Sequence, residues 1–298
     1  MNCFIDPHIK LTAANGERAK ALGLNLIPYR ASEVDFNSIE YLLFHSPLPD
    51  DELRQMKNCR YIGVRAHNTD YINKSLAEAM KIEVKGLNRQ HGVTAVAEHS
   101  FALIFALAKN IRGAHQNLIE GKWQEGLPQN FQLSGKTLGI IGYGEIGRRV
   151  AQMGEALGMK IALAQSPRSL KPGNLSVEEV LVQSDVLSLH LSTSKENRHY
   201  LNRERLKLMK KGSILINTAR ASVVDYEALE EEISLGRFWG VGLDVYDDEP
   251  VENSAFKQYS NVILTPHIGY RTGETLENMN GELLENLKDY LNQQKTID

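Results

Sequence analysis

Residues Thr137–Gly158 read TLGIIGYGEIGRRVAQMGEALG. Thr137 to Ile141 form a short apolar run, Gly142, Gly144 and Gly147 fall in the spacing Gly-x-Gly-x-x-Gly, and Ile146 to Leu157 carry apolar residues at helical intervals. A strand, a glycine turn and a helix in that order have a physical meaning. The first glycine permits a tight turn, the second lets backbone approach a pyrophosphate, and the third lets helix and strand pack closely, with the helix N-terminus facing the anion. Between a strand and a helix, the spacing predicts a dinucleotide site, with Glu145 and Ile146 inside it.

Five more apolar runs follow: Ile161 to Ala164, Val186 to Leu189, Ser213 to Asn217, Val241 to Val245 and Val262 to Leu264. Nearly continuous apolar strands suit a parallel sheet covered on both faces. Gly158, Gly212 and Gly236 stand where helices would end in left-handed backbone, and Ser176 with Glu179 reads as a capping box. Six strands with crossover helices predict a Rossmann doubly wound parallel sheet of order 3-2-1-4-5-6, whose ligand crevice lies beyond the carboxyl ends of the strands.

Upstream, Cys3 to Ile5, Tyr41 to Phe44 and Tyr61 to Val64 alternate with helical patterns at Glu17 to Leu22 and Asp51 to Met56, the mark of a smaller α/β unit. One long apolar helix is expected from about Thr94 to Ile119. A last helix, Glu274 to Gln293, with Leu276, Met279, Leu283, Leu287 and Leu291 at helical spacing, is expected to return to the first unit. The expected fold is therefore α/β with two domains, the doubly wound sheet inserted into a smaller flavodoxin-like α/β domain. Residues 96–270 are expected to form the dinucleotide-binding domain, and 1–95 with 271–298 a discontinuous substrate domain.

Composition narrows the functions. The net charge of -3, from 34 basic and 37 acidic residues, supplies no field for nucleic acid or anionic lipid, so a small ligand is the expected partner. Cys3 and Cys59 stand far apart, outside any Cys-x-x-Cys pair, and support neither a disulfide framework nor a thiolate metal site; no metal is expected. The start, with Asp6 and Pro7, does not read as a secretory signal, and the apolar run Phe101 to Ala108 is too short to span a bilayer. A cytoplasmic protein is the expectation.

Three candidate catalytic residues lie just past the ends of three successive strands: Arg220, Glu249 and His267. Neighbouring strands would bring them to one crevice. Reducing a 2-oxo acid needs a fixed cation for the carboxylate, and a guanidinium grips it through two parallel hydrogen bonds. The carbonyl oxygen must then receive a proton, for which an imidazolium is suited, and a neighbouring carboxylate favours that charged form and fixes its tautomer. Arg220, His267 and Glu249 fit these parts. His99, inside an apolar helix, reads instead as a satisfied core residue.

An NAD site usually places Asp or Glu after the second strand to bind the ribose 2′-hydroxyl. Here Gln165, Ser166, Pro167, Arg168 and Ser169 follow Ala164. Their donors suit a 2′-phosphate, and without a carboxylate to repel it NADP(H) is favoured over NAD(H).

The glycine turn, Asn217-Thr218-Ala219-Arg220, Asp244-Val245 leading to Glu249-Pro250, Thr265-Pro266-His267-Ile268-Gly269 and Val96-Ala97-Glu98-His99 together closely resemble the D-isomer-specific 2-hydroxyacid dehydrogenases. That resemblance implies hydride transfer between NAD(P)H and a small 2-oxo acid, with Arg220, Glu249 and His267 as catalytic set. It implies contacts on the carbonyl and cofactor side from Thr218 and Ala219, Asp244 near the nicotinamide carboxamide, and Ser192 and Gly269 beside the cofactor. It also implies a substrate turn at Arg65, Ala66, His67 and Asn68, facing Arg220 and His267, and a homodimer built through the cofactor domains.

Members act on glyoxylate, hydroxypyruvate, pyruvate, bulkier 2-oxo acids or 3-phosphoglycerate; Lys74 and Arg89 are the basic residues that leave a phosphorylated acid open. Corepressor relatives that sense the nucleotide offer an alternative. This sequence departs from the pattern at Ala66-His67-Asn68, where the family has Gly-x-Gly and where Arg65 looks more like the D-lactate dehydrogenase branch. It departs also at Ser192, in place of proline, at Ala221, in place of glycine, and at Gln165, in place of an acid.

Overall fold

A computed structural model of the chain describes residues 1–30, 34–67, 69, 72–164 and 175–295. Two compact units emerge, Met1–His91 with Thr272–Asp298 and Gly92–Arg271. In chain order the first contains β1 (Asn2–Ile5), α1 (Ala13–Ala21), β2 (Asn25–Pro28), β3 (Tyr41–Phe44), α2 (Asp50–Gln55), β4 (Tyr61–Val64), α3 (Lys74–Ala79) and β5 (Glu83–Lys85). The second contains α4 (Val93–Ala108), α5 (Ile111–Ile119), β6 (Thr137–Ile141), α6 (Glu145–Ala156), β7 (Lys160–Ala164), α7 (Val177–Gln183), β8 (Val186–Leu189), α8 (Arg203–Leu208), β9 (Ser213–Asn217), α9 (Tyr226–Ser234), β10 (Phe238–Leu243) and β11 (Val262–Leu264). The helix α10 (Gly273–Gln294) then completes the first unit. The architecture is α/β, with two parallel sheets.

In the split unit the sheet runs β2-β1-β3-β4-β5, all parallel. Strand alternation sorts its side chains between two cores. Cys3, Ile5, Tyr41, Leu43 and Tyr61 meet Leu283, Leu284 and Leu287 of α10 on one face. Phe4, Leu42, Phe44, Ile62 and Val64 meet Leu53 of α2 and Ala77 of α3 on the other. A methyl group at Gly63 would stand only 3.0 Å from Leu283 Cδ1, so a bare backbone there is what seats α10 on β4. Leu283, Leu284 and Leu287 have at most 1% of their surface exposed, and burying each contributes about 1.5–3 kcal/mol. β2 was not foreseen because Asn25-Leu26-Ile27-Pro28 is short and bounded by two residues poor in sheets.

In the inserted unit the order is β11-β10-β9-β8-β6-β7, again all parallel. Numbered along the sequence, these six strands run 2-1-3-4-5-6, which corrects the expected 3-2-1-4-5-6. The chain jumps from β7 across β6 to β8, so Val186–Leu189 pairs with β6 on the side opposite β7. At β7's outer edge, where the expected order has its third strand, lies an isolated parallel bridge between Ala164 and Leu175. The switch point remains at β6, and β9, β10 and β11 are neighbours, as the convergence of the candidate residues requires.

The capping box at Ser176 and Glu179 is present, and Gly158, Gly212 and Gly236 have φ of 76°, 77° and 68°. The single long helix expected to Ile119 is two. Asn110 takes left-handed backbone (φ 45°) between α4 and α5, and its side chain covers Gly113, where a Cβ would come within 2.7 Å of Asn110 Oδ1. Among the described residues, no helix is long and apolar enough to cross a membrane.

Candidate active site

The β6–α6 turn has the form that a bound pyrophosphate demands. Gly142 has φ 98°, a conformation costly to a side chain, and a Cβ there would lie 2.5 Å from the His190 carbonyl oxygen at the end of β8. A Cβ on Gly147 would overlap the Gly142 carbonyl oxygen. At Gly144 a Cβ would meet nothing within 4 Å, so no protein packing requires a glycine there. What its lack of a side chain leaves clear is the approach to the N-terminus of α6, where Glu145 is exposed and Ile146 half-buried. The residues present therefore fit a dinucleotide phosphate.

Past β9, Asn217 makes the turn that presents Arg220. Its Oδ1 accepts the Ala219 N–H at 3.1 Å, and its Nδ2 donates to the Arg220 carbonyl at 3.0 Å and to Tyr226 Oη at 3.2 Å. Tyr226, at the start of α9, donates in turn to the Val245 carbonyl at 2.8 Å, tying the end of β9 to the segment after β10. Thr218 is buried with its hydroxyl 2.9 Å from that of Ser100 on α4. Arg220 itself is exposed, with Nη1 on the Ala219 carbonyl at 2.7 Å.

At the ends of β10 and β11 two carboxylates organise the site. Asp244, 2% exposed, receives the Thr265 hydroxyl at 2.6 Å and the Ile268 N–H at 2.9 Å on Oδ1, and the Gly269 N–H at 2.9 Å on Oδ2. Burial alone would raise its pKa. Hydrogen bonds from His99, Thr265, Ile268 and Gly269 outweigh that, and the carboxyl is held below its ordinary range. The turn so clamped carries His267 at φ 52°, a left-handed backbone uncommon for a side-chain-bearing residue.

His267 Nδ1 lies 2.6 Å from Glu249 Oε2, while Glu249 Oε1 accepts the Tyr246 N–H at 2.9 Å. Burial raises the Glu249 pKa, but the His267 bond and the Tyr246 N–H more than reverse it, and the group is held low. An ionised carboxylate can only accept, so Nδ1 carries the proton of this bond and Nε2 is the ring nitrogen that Glu249 leaves available. A cavity of about 390 Å³ is lined by Glu249, Pro250, Lys257, Thr265 and His267 among others.

Residues 101–269 match the family described as D-isomer specific 2-hydroxyacid dehydrogenase, NAD binding domain. The chain belongs to the D-isomer-specific 2-hydroxyacid dehydrogenases. It is 33% identical over 255 residues to a glycerate dehydrogenase of Methylorubrum extorquens, covering 82% of this chain and 80% of that one. With a hydroxypyruvate reductase of Thermotoga maritima it shares 36% identity over 245 residues, covering 80% and 79%. A solved D-lactate dehydrogenase from Aquifex aeolicus, complexed with NAD and lactic acid, superposes with a TM-score of 0.80 at 30% identity, covering 98% and 96% of the two chains. This 2-hydroxyacid dehydrogenase is accordingly an enzyme that uses a nicotinamide cofactor.

Within this dehydrogenase, the inserted unit joins His267 to Glu249 directly, and the adjacency of β9, β10 and β11 sets Arg220 at the same sheet edge. Ser192 is exposed just past β8, its carbonyl held by Asn197 Nδ2 at 2.8 Å. Ala219 is buried, as is the Gly269 N–H that Asp244 holds. Arg65 lies in the split unit, 3% exposed, with Nη1 3.3 Å from Asn280 Oδ1 and Nη2 3.3 Å from the His8 carbonyl. Ala66 is half-buried and His67 exposed. Asn68, Gln165, Ser166 and Arg168 lie outside the described residues. Sequence reasoning missed Tyr226 and the part played by Asn217. An asparagine ending a strand two residues before a tight bend is a turn-forming signal that could have found the second; nothing local marks the first.

Proposed function

We propose that the protein reduces a small 2-oxo acid of the glyoxylate, hydroxypyruvate or pyruvate type to the D-2-hydroxy acid, with NADPH preferred to NADH. The observation that carries this reading is the 2.6 Å bond between His267 Nδ1 and Glu249 Oε2, at the sheet edge that also holds Arg220. Arg220 binds the substrate carboxylate through its guanidinium fork and so orients the carbonyl. With its pyrophosphate at the Gly142–Gly147 turn, a bound reduced dinucleotide would supply the hydride from its nicotinamide ring. His267, kept in one tautomer by Glu249, gives the proton from Nε2 to the carbonyl oxygen. Arg65, Ala66, His67 and Asn68 are assigned the substrate turn on the family resemblance alone.

The cofactor preference rests on Gln165, Ser166 and Arg168, donors without an acid, after β7. Arg89 pairs with Glu282 and Glu285, which balances its charge and favours an unphosphorylated acid. Ile111, Leu118, Ile119 and Trp123, on and just past α5, are 56–68% exposed, an apolar patch that supports a homodimer through the inserted unit. Cys3 and Cys59 are buried and unpaired, which suits a reducing cytoplasm.

The test is a panel of 2-oxo acids with NADPH and NADH in parallel, following absorbance. Turnover of a two- or three-carbon 2-oxo acid, fastest with NADPH, is expected, and His267→Ala should lower it by about 10²–10⁴-fold. Undiminished turnover in that variant would remove His267 from the mechanism.

A further inference from the structure

The family's catalytic set does not account for His99. It sits on α4, its side chain 17% exposed, with Nε2 3.0 Å from Thr265 Oγ1 and 3.4 Å from Asp244 Oδ1. The direction of these bonds can be worked out. Asp244 is ionised and can only accept, so Thr265 spends its single hydroxyl proton on Asp244 Oδ1 at 2.6 Å. Thr265 Oγ1 is then an acceptor toward His99, and Nε2 must carry a proton. The result is a directed chain, His99 Nε2–H to Thr265 to Asp244, ending on the carboxylate that also holds the Ile268 and Gly269 N–H groups.

The ring is also packed into place. A Cβ at Gly269 would come within 2.9 Å of Asp244 Oδ2 and 3.3 Å of His99 Cδ2, so imidazole and carboxylate enclose the turn from two sides. Between Thr265 and Gly269 lies His267, whose left-handed backbone is held by these residues on either side of it. We propose that His99 is a positioning residue for the reaction: from α4, through Nε2–H, it fixes the Thr265–Gly269 turn and thereby the place of the His267 imidazole. The inference rests on His267 being the proton donor, and it assigns a task to a side chain that sequence alone reads as core filling.

The test compares His99→Gln, whose amide can place an N–H near the Nε2 position, with His99→Phe, which keeps the ring bulk and loses the donor, each also in a His267→Ala background. Steady-state kinetics with NADPH and a two- or three-carbon 2-oxo acid are read beside thermal midpoints. The expected result is a fall of about tenfold or more in kcat for His99→Phe, as displacement of a catalytic group produces. His99→Gln should recover most of it, and neither change should lower kcat further once His267 is alanine. Packing alone would give the reverse: Phe as good as wild type, or Phe and Gln equally impaired with losses that persist in the His267→Ala background. Either outcome overturns the inference. Failure of the parent reading is seen separately, as undiminished turnover of His267→Ala alone, and takes this inference with it.

Discussion

Asp244→Asn should destabilise the inserted unit by about 3–5 kcal/mol, and the structure says why. One Asp244 oxygen accepts from Thr265 and Ile268 and the other from Gly269, all within a site 2% exposed. An asparagine has one carbonyl oxygen and one NH2. With its oxygen toward Thr265 and Ile268, its amide faces the Gly269 N–H, donor against donor; the flipped amide strands the other pair. Losing a hydrogen bond to a charged acceptor costs about 1.5–3 kcal/mol, and a buried N–H without an acceptor adds about 1–3 kcal/mol.

Urea unfolding without cofactor, followed through Trp239 emission, reads the effect in the right unit, since Trp239 lies in β10 with Nε1 donating to the Leu107 carbonyl. The pH arm has a definite sign. The Asp244 carboxyl is depressed in the fold, so its contribution is complete above the unfolded value near 4 and disappears as pH falls through the lower native value. The gap between wild type and variant should therefore narrow in acid. A variant within about 0.5 kcal/mol of wild type at neutral pH, the scatter of an ordinary surface change, would refute the reasoning.

Arg220→Lys loses the planar fork, so kcat/KM for the 2-oxo acid should fall about thirtyfold or more, one charge-assisted bond's worth; titration calorimetry should find NADPH affinity unchanged. For Glu249→Gln, kcat should drop at least about tenfold. The stability term is small, because both partners of the pair are about one-third exposed and water screens them. Glu249 is depressed in the fold, so that small term exists above pH about 4.5 and is lost on acidification, and thermal midpoints at neutral pH should barely move. Gly147→Ala forces a methyl onto the Gly142 carbonyl and should cost about 1–3 kcal/mol along with NADPH affinity, read by melting and calorimetry. Gln165→Asp should shift the ratio of kcat/KM values toward NADH, since a carboxylate there repels a 2′-phosphate; an unmoved ratio would count against NADP(H) selection.

Much of this was legible in the chain because the information is local. Gly142 and Gly147 are required by contacts within a few residues or with the adjoining strand, and the glycines at 158, 212 and 236 by the backbone of a single helix end. Arg220, Glu249 and His267 could be picked out because parallel strands end at one edge, whichever order the outer strands take. What escaped depends on geometry that a pattern does not carry. Apolar spacing continues across Lys109 and Asn110, so nothing in periodicity announces the left-handed residue that breaks the helix. Pairing of Val186–Leu189 with β6 on the side away from β7 is a choice among strands of similar apolar character. The bonds of Tyr226 to Asn217 and Val245, and of His99 to Thr265, join residues on different elements and become visible only when the sheet is assembled.

The return of α10 to β4 has a consequence for biosynthesis. β4 ends at Val64, while the leucines that cover it come from a helix beginning at Gly273. At translation rates of about 5–20 residues per second, the apolar side of the first sheet waits roughly 10–40 s for its cover, during which the whole of Gly92–Arg271 emerges and can close. The inserted unit, contiguous in the chain, can thus close before the split one is complete, which would leave the strands of the first sheet uncovered on one face for that interval.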